Sequence, residues 1–184
     1  IGFPGVVRHG RVITAPHLGT EDWAGFPLEA RLQQALGRPA RMLNDAEVQA
    51  LGVVAGVGIE LVLTLGTGIG SALFGNGTLA PHLELSQHPL RRHKTYDTYL
   101  GNEAREEIGR KRWNKRLRRV LAVVERVVMP DMLYLGGGNT RHIRGALPAK
   151  VQIVSNEAGL TGGVALWTRS DAALGRGEGH EGQA

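Results

Sequence analysis

The spacing of apolar residues changes period several times along this chain, and each change predicts an element. Residues 1–7 (IGFPGVV) are almost wholly apolar and predict a buried strand, with residues 8–14 returning as a hairpin around His9-Gly10. Leu28, Leu32, Ala35 and Leu36 recur at helical spacing across 27–36, and Gly37 follows as a C-cap. A short buried strand over 40–43 then leads into Asn44-Asp45 and a helix over 46–55, which Asp45 is suited to cap. Residues 60–65 (ELVLTL) predict a strand, 70–74 its antiparallel partner, and Gly75-Asn76-Gly77 a tight hairpin turn. Helical periodicity holds over 96–128 and Pro130 stops it. Residues 132–135 predict another strand, broken by Gly136-Gly137-Gly138 ahead of a helix starting near Thr140. A strand over 151–154 and a glycine-bearing helix over 157–167 complete the alternation, and the polar, Gly-rich residues from Ser170 onward predict a disordered tail. Strands alternating with helices indicate α/β architecture with a mixed sheet.

Length and composition narrow the class. At 184 residues, with 42% hydrophobic and 21% charged residues, the chain can bury a core as one domain or a small pair of lobes. Aromatics at 5% weigh against a base-stacking nucleic-acid platform, and zero Cys excludes disulfides and thiolate metal sites. No apolar run approaches the ~20 residues of a membrane span, and the absence of Cys is compatible with a reducing, cytoplasmic setting. The net charge of +5 favours polyanionic ligands without specifying one. The chain opens on Ile1 inside an expected strand, which predicts an internal fragment whose front end lies upstream.

Three segments carry candidate chemistry. Asp45, at the end of the apolar run ARMLND, offers a proton acceptor at a strand terminus; capping the next helix is its ordinary alternative. LGTGIGSA has neither the Lys of a P-loop nor Rossmann spacing, yet its glycines and Thr67 can present N–H and O–H donors to an anion. A plain hairpin needing glycine for positive φ reads equally well. LGGGN allows a ligand close to the backbone at a helix start, or serves as a simple connection. HLELSQHP adds Glu84, Gln87 and His88, with His82 nearby but no constellation for a metal. From Arg110 to Arg119 seven cations occur with no acid between them; Leu117, Val120, Leu121 and Val124 would face the core. Such a run is a solvated face or a polyanion track, with Lys111, Lys115, Arg118 and Arg119 outward.

Taken in order, GFPGVV, LNDA, LTLGTGIGSALFGNGTL, HLEL-xx-HP, LYLGGGN and SNEAGLTGGVALW resemble the ROK family of sugar kinases, in particular its polyphosphate glucokinase branch. The resemblance implies the actin-like ATPase/hexokinase (ribonuclease H-like) fold, with residues 1–45 a remnant of the N-terminal lobe, 46–169 the C-terminal lobe and 170–184 the tail. It implies Asp45 as general base toward the 6-hydroxyl of glucose, and Asn44, Glu84 and Gln87 as sugar ligands. Gly66, Thr67 and Gly68 correspond to one phosphate turn, and Gly136, Gly137 and Gly138 to the glycines on the donor side. Mg²⁺ with polyphosphate or ATP as donor, no zinc, and a homodimer are implied as well, with no nucleic acid or membrane partner. Ser86 and Gln87 stand where the family's E-x-G-H motif has Gly and His, and its N-terminal D-x-G motif is not in the sequence. A sugar-responsive transcriptional regulator, or an inactive fragment, are the other expectations.

Overall fold

The computed structural model describes residues 1–155 and 157–176. In chain order the first elements are β1 (Gly2–Phe3), β2 (Val7–Arg8), β3 (Arg11–Val12), α1 (Thr20–Trp23), α2 (Leu28–Leu36), β4 (Leu43–Asn44), α3 (Asp45–Leu51), β5 (Ile59–Leu65), β6 (Ile69–Gly75) and β7 (Thr78–Leu79). They continue with β8 (Pro89–Arg91), β9 (Lys94–Thr95), α4 (Tyr96–Leu100), α5 (Asn102–Val128), β10 (Met132–Gly136), a 3-10 turn (Gly138–His142), β11 (Val151–Ile153) and α6 (Ala158–Thr168).

A five-stranded mixed sheet in the order β11-β10-β5-β6-β7 forms the centre; β5, β10 and β11 are parallel, and β6 and β7 return antiparallel. Successive side chains of a strand point to opposite faces. Leu61, Leu63 and Leu65 of β5 therefore meet α5 through Trp113, Leu117, Val120 and Val124. On the other face, Val62 joins Val48 and Leu51 of α3 and Leu166 of α6. Trp113 is fully buried and its indole N–H donates to the Leu100 carbonyl at 2.7 Å; cutting it back to Ala would cost about 3–5 kcal/mol. Glu60 is buried without a cation, but it accepts N–H bonds from Ala55, Gly56 and Val57 and the Tyr134 hydroxyl. A third, small core of Phe3, Val12, Ala15 and Met42 lies under the β2-β3 hairpin.

Several elements differ from expectation. The strand over 1–7 is two short ones, because the Pro4-Gly5 corner turns the chain and Gly5 packs against the Thr14 carbonyl. The helix after Asn44 ends at Leu51 rather than 55, where α3 crosses α6 so closely that a Cβ on Gly162 would strike the Val48 carbonyl. Helix α5 is broken at Gly109 (φ 74°, ψ 160°), so the basic run from Arg110 starts a fresh helical segment. The helix expected near Thr140 is only the single 3-10 turn. The tail does not loosen at Ser170: Leu174 is buried, and Arg176 makes a bidentate pair with Glu29 at 2.7 and 2.9 Å. The remainder of that expected tail, 177–184, lies outside the described residues.

Candidate active site

β4 ends and α3 begins between Asn44 and Asp45, and this junction forms one wall of a cavity of about 390 Å³. Asn44 is the helix cap. Its Oδ1 accepts the Ala46 N–H at 2.9 Å, and Glu47 returns a carboxylate oxygen to the Asn44 N–H at 3.0 Å, a reciprocal capping box. The Asn44 Nδ2 group donates to the Gly5 and Phe3 carbonyls. The amide expected to hold sugar lines the cavity, but its polar atoms are already engaged with the protein backbone.

Asp45 is thereby relieved of the capping role, although its Oδ1 also accepts the Ala46 N–H at 2.8 Å. Its side chain opens on the cavity, enclosed by enough protein that desolvation raises its pKa. The N–H groups of Ala46 and Asp45 itself act against that rise, and the charges of Glu84 and Glu47 add to it.

The opposite wall is the turn between β5 and β6, with Gly66, Thr67 and Gly68 all on the cavity. The turn is pinned from behind: the Asn102 N–H donates to the Thr67 carbonyl at 3.2 Å, and the Asn139 side chain to the Gly66 carbonyl at 2.9 Å. Among the described residues the N–H groups of Thr67 and Gly68 have no protein acceptor, so the turn offers successive donors to an anion. Of the three later glycines only Gly137 reaches this cavity. Its φ of 85° and its approach to the Leu65 backbone exclude a side chain there. Gly136 is buried in β10, and Gly138 is exposed at the start of the 3-10 turn.

Glu84 lines the cavity with Ser86, whose hydroxyl donates to Glu84 Oε1. Gln87, expected as a sugar ligand, is not among the cavity residues. It is exposed, beside Ser86 in the same turn, and its amide donates to the Ser86 hydroxyl at 3.3 Å. His88 packs instead against Tyr96, with ring centroids 6.2 Å apart.

Sequence reading missed four participants: His82, Glu47, Asp97 and Thr64. His82 lies between two carboxylates, Nδ1 2.7 Å from Glu47 Oε1 and Nε2 3.3 Å from Glu84 Oε2. Burial pulls its pKa down, but the hydrogen bonds to Glu47 and Glu84 outweigh this and raise it to about 9. The bond from His82 is in turn the main reason the Glu84 carboxyl is held below its ordinary range. Asp97 enters from the start of α4, takes the Ile69 N–H on Oδ1 at 2.6 Å, and faces His17 at 3.9 Å; desolvation raises its pKa. Thr64, on the cavity wall, accepts the Gly70 N–H. The N-x-x-E spacing of Asn44 and Glu47 was a readable capping signal, whereas nothing local announces Asp97 or Thr64.

The cations expected to form one track occupy two faces of α5. Lys115 and Arg119 line a groove of about 630 Å³ with Arg91, Arg92, Lys94, Arg112 and Arg116. Lys111 and Arg118 line a second hollow with Arg110 and Arg144. This second face borders the 3-10 turn: Arg118 donates to the Arg144 carbonyl, and Arg105 to the Asn139 side chain.

Comparison with known proteins agrees with this geometry. The profile of the ROK family matches residues 1–81. A polyphosphate glucokinase of Mycobacterium tuberculosis (strain CDC 1551 / Oshkosh) is 30% identical over 177 residues, covering 88% of this chain. The chain spans 66% of that relative's length. The crystal structure of an inorganic polyphosphate/ATP-glucomannokinase from Arthrobacter sp. strain KM superposes with a TM-score of 0.78 at 31% identity, over 91% of this chain and 70% of that one. A ROK family glucokinase from Streptomyces griseus, solved with glucose and AMPPNP, shares the fold at 18% identity (TM-score 0.70, covering 91% of this chain and 80% of its own). The expected actin-like ATPase/hexokinase fold with mixed sheets is thereby shown, and the chain belongs to the ROK family.

Proposed function

We propose that this chain carries the acceptor and phosphate sites of a sugar kinase that transfers a phosphoryl group from polyphosphate or ATP to the 6-hydroxyl of glucose. The observation that carries the reading is that Asp45 and the Gly66–Gly68 turn line one cavity. A base and an anion cradle facing one hollow suit in-line transfer to an alcohol.

Asp45 accepts the hydroxyl proton as the sugar oxygen attacks. A general base contributes about 10²–10⁴-fold, and a raised pKa makes this carboxylate a stronger one. Glu84 accepts hydroxyls of the ring, with Ser86 holding its second oxygen. Asn44 acts through the backbone, setting where α3 begins and so where Asp45 sits. Thr67 and Gly68 donate to phosphate oxygens, because phosphoryl transfer is carried mainly by positioning and charge stabilisation.

Among the described residues no three His, Cys, Asp or Glu are grouped to hold a metal by themselves. Mg²⁺ needs only one or two protein carboxylates when it arrives on phosphate oxygens. Asp97 fits that part: among the described residues its Oδ2 has as ionic neighbour His17, at 3.9 Å. Bound with the donor, the ion would neutralise charge on the transferring phosphate.

For the donor tail, the Lys111 and Arg118 face is favoured over the Lys115 and Arg119 groove, because it borders the Gly138–His142 turn. The test is glucose-6-phosphate formation with Mg²⁺ and either donor, run on this chain and on the complete product of its gene, alongside calorimetry with glucose. Product that depends on Asp45 supports the reading; neither binding nor product from either protein overturns it.

A further inference from the structure

We infer that His82 is a positioning residue which, as an imidazolium, holds Glu84 and the start of α3 at a fixed spacing, so that the sugar ligand and the base act as one unit. The inference rests on the reading of Asp45 and Glu84 given above.

The geometry requires the charged ring. A neutral imidazole has one N–H and one lone pair, yet each ring nitrogen of His82 faces a carboxylate oxygen. Pointing the lone pair at either carboxylate would be repulsive, and only the imidazolium donates to both. The side chains of His82 and Glu47 are 8% and 5% exposed, so water does little to screen the arrangement. Arg8, His9 and Arg176 line the hollow behind His82, but the Arg176 guanidinium is committed to Glu29. His82 is therefore the cation in contact with this pair of carboxylates.

Two consequences reach the reacting atoms. Mechanically, Glu47 is the capping partner of Asn44, so the chain Asn44, Glu47, His82, Glu84, Ser86 is continuous from the base's own helix start to the sugar ligand. Electrostatically, Glu84 and Glu47 both push the Asp45 pKa upward. An imidazolium placed between them opposes that push and so favours the ionised form of Asp45, while Glu84 stays an acceptor.

Two measurements decide it. Long-range nitrogen–proton spectra should show protons on both ring nitrogens of His82 at about pH 7.5, where an ordinary imidazole is neutral; a singly protonated ring overturns the clamp. The second compares variants in glucose phosphorylation. Gln keeps a donor near the Nε2 position toward Glu84, and Asn keeps one near Nδ1 toward Glu47. His82→Asn should raise KM for glucose on the order of ten- to a hundredfold, the scale of a misplaced ligand, with His82→Gln rising less. Both should move the acid limb of kcat/KM to higher pH. An unmoved limb with unchanged KM, and activity lost only in proportion to folded protein, overturns the inference. If neither variant folds, the ring-nitrogen spectra of the unaltered chain decide. If the unaltered protein neither binds nor phosphorylates glucose, the kinase reading fails, while those spectra still test the clamp.

Discussion

Asn139 donates its side-chain amide to the carbonyl of Gly66 at 2.9 Å, tying together two glycine segments that lie 73 residues apart in sequence. Both sides of the bond are otherwise committed: Asn139 is buried and also accepts from Arg105, and the Gly66 N–H donates to Gly68. Asn139→Ala would leave the Gly66 carbonyl without its partner, at a cost of about 1–3 kcal/mol. In a chain of this size that corresponds to a fall in Tm of roughly 2–12 °C. The variant should also raise KM for the phosphoryl donor more than KM for glucose, because the turn it supports is on the phosphate side. Thermal melts and donor titrations check both halves.

Asp45→Asn separates chemistry from folding. Since Asn44 and Glu47 cap α3, the substitution leaves the helix start intact, and kcat should fall about 10²–10⁴-fold. Desolvation raises the Asp45 pKa, so the native state binds its proton more tightly than the unfolded chain does, and ionisation at neutral pH opposes folding. The variant should therefore melt at the same temperature as the parent or higher. A large drop in Tm with proportionate loss of activity would return Asp45 to a structural role.

The stability of the unaltered chain should depend on pH through His82. Its folded pKa of about 9 stands above the ordinary 6.5. The stabilisation is fully present below about pH 6.5 and is lost as pH rises through about 9, when the folded ring gives up its proton. Melting temperature should decline across that window at constant ionic strength, and His82→Gln should flatten the decline. A parent curve without a drop there would contradict the assignment.

The two basic faces of α5 are separable by charge reversal. Lys111→Glu with Arg118→Glu should raise KM for polyphosphate on the order of tenfold, about 1.4 kcal/mol, and steepen no salt dependence. Lys115→Glu with Arg119→Glu should change it far less. A physical reporter is at hand in His142, whose pKa is lowered by loss of hydration and by Arg105, Arg141, Arg110 and Arg144. Tripolyphosphate seated among those arginines should move the His142 titration to higher pH. The reverse ranking of the two double variants would assign the donor to the other groove.

Sequence alone revealed the parts of the site that rest on local chemistry. The Asn76-Gly77 hairpin declares itself through two residues that accept positive φ, the Asn44-Asp45 junction through the N-x-x-E capping pattern, and the period of β5 sorts Leu61, Leu63 and Leu65 to one face. What stayed hidden depends on closure in space. His82 meets Glu47 across 35 residues, and Asp97 arrives from a helix start whose capping box involves Thr95 and Thr98 instead. Gln87 stands at the His position of the E-x-G-H motif, but a motif fixes spacing and not the rotation of a turn, and here Ser86 lines the cavity while Gln87 is exposed. A polar, Gly-rich composition predicts a disordered tail but cannot foresee the clasp between Arg176 and Glu29.

The bare crossing of α3 over α6 makes α3 a lever with its fulcrum at the back. A Cβ at position 162 meets the Val48 carbonyl, one turn from the end that bears the candidate base. Gly162→Ala should thus tilt the helix and swing Asp45 out of line, silencing the enzyme from a position outside the cavity lining. Fidelity at the reacting oxygen would be inherited from a seam where two backbones touch, and drift there would erode turnover before it eroded the fold.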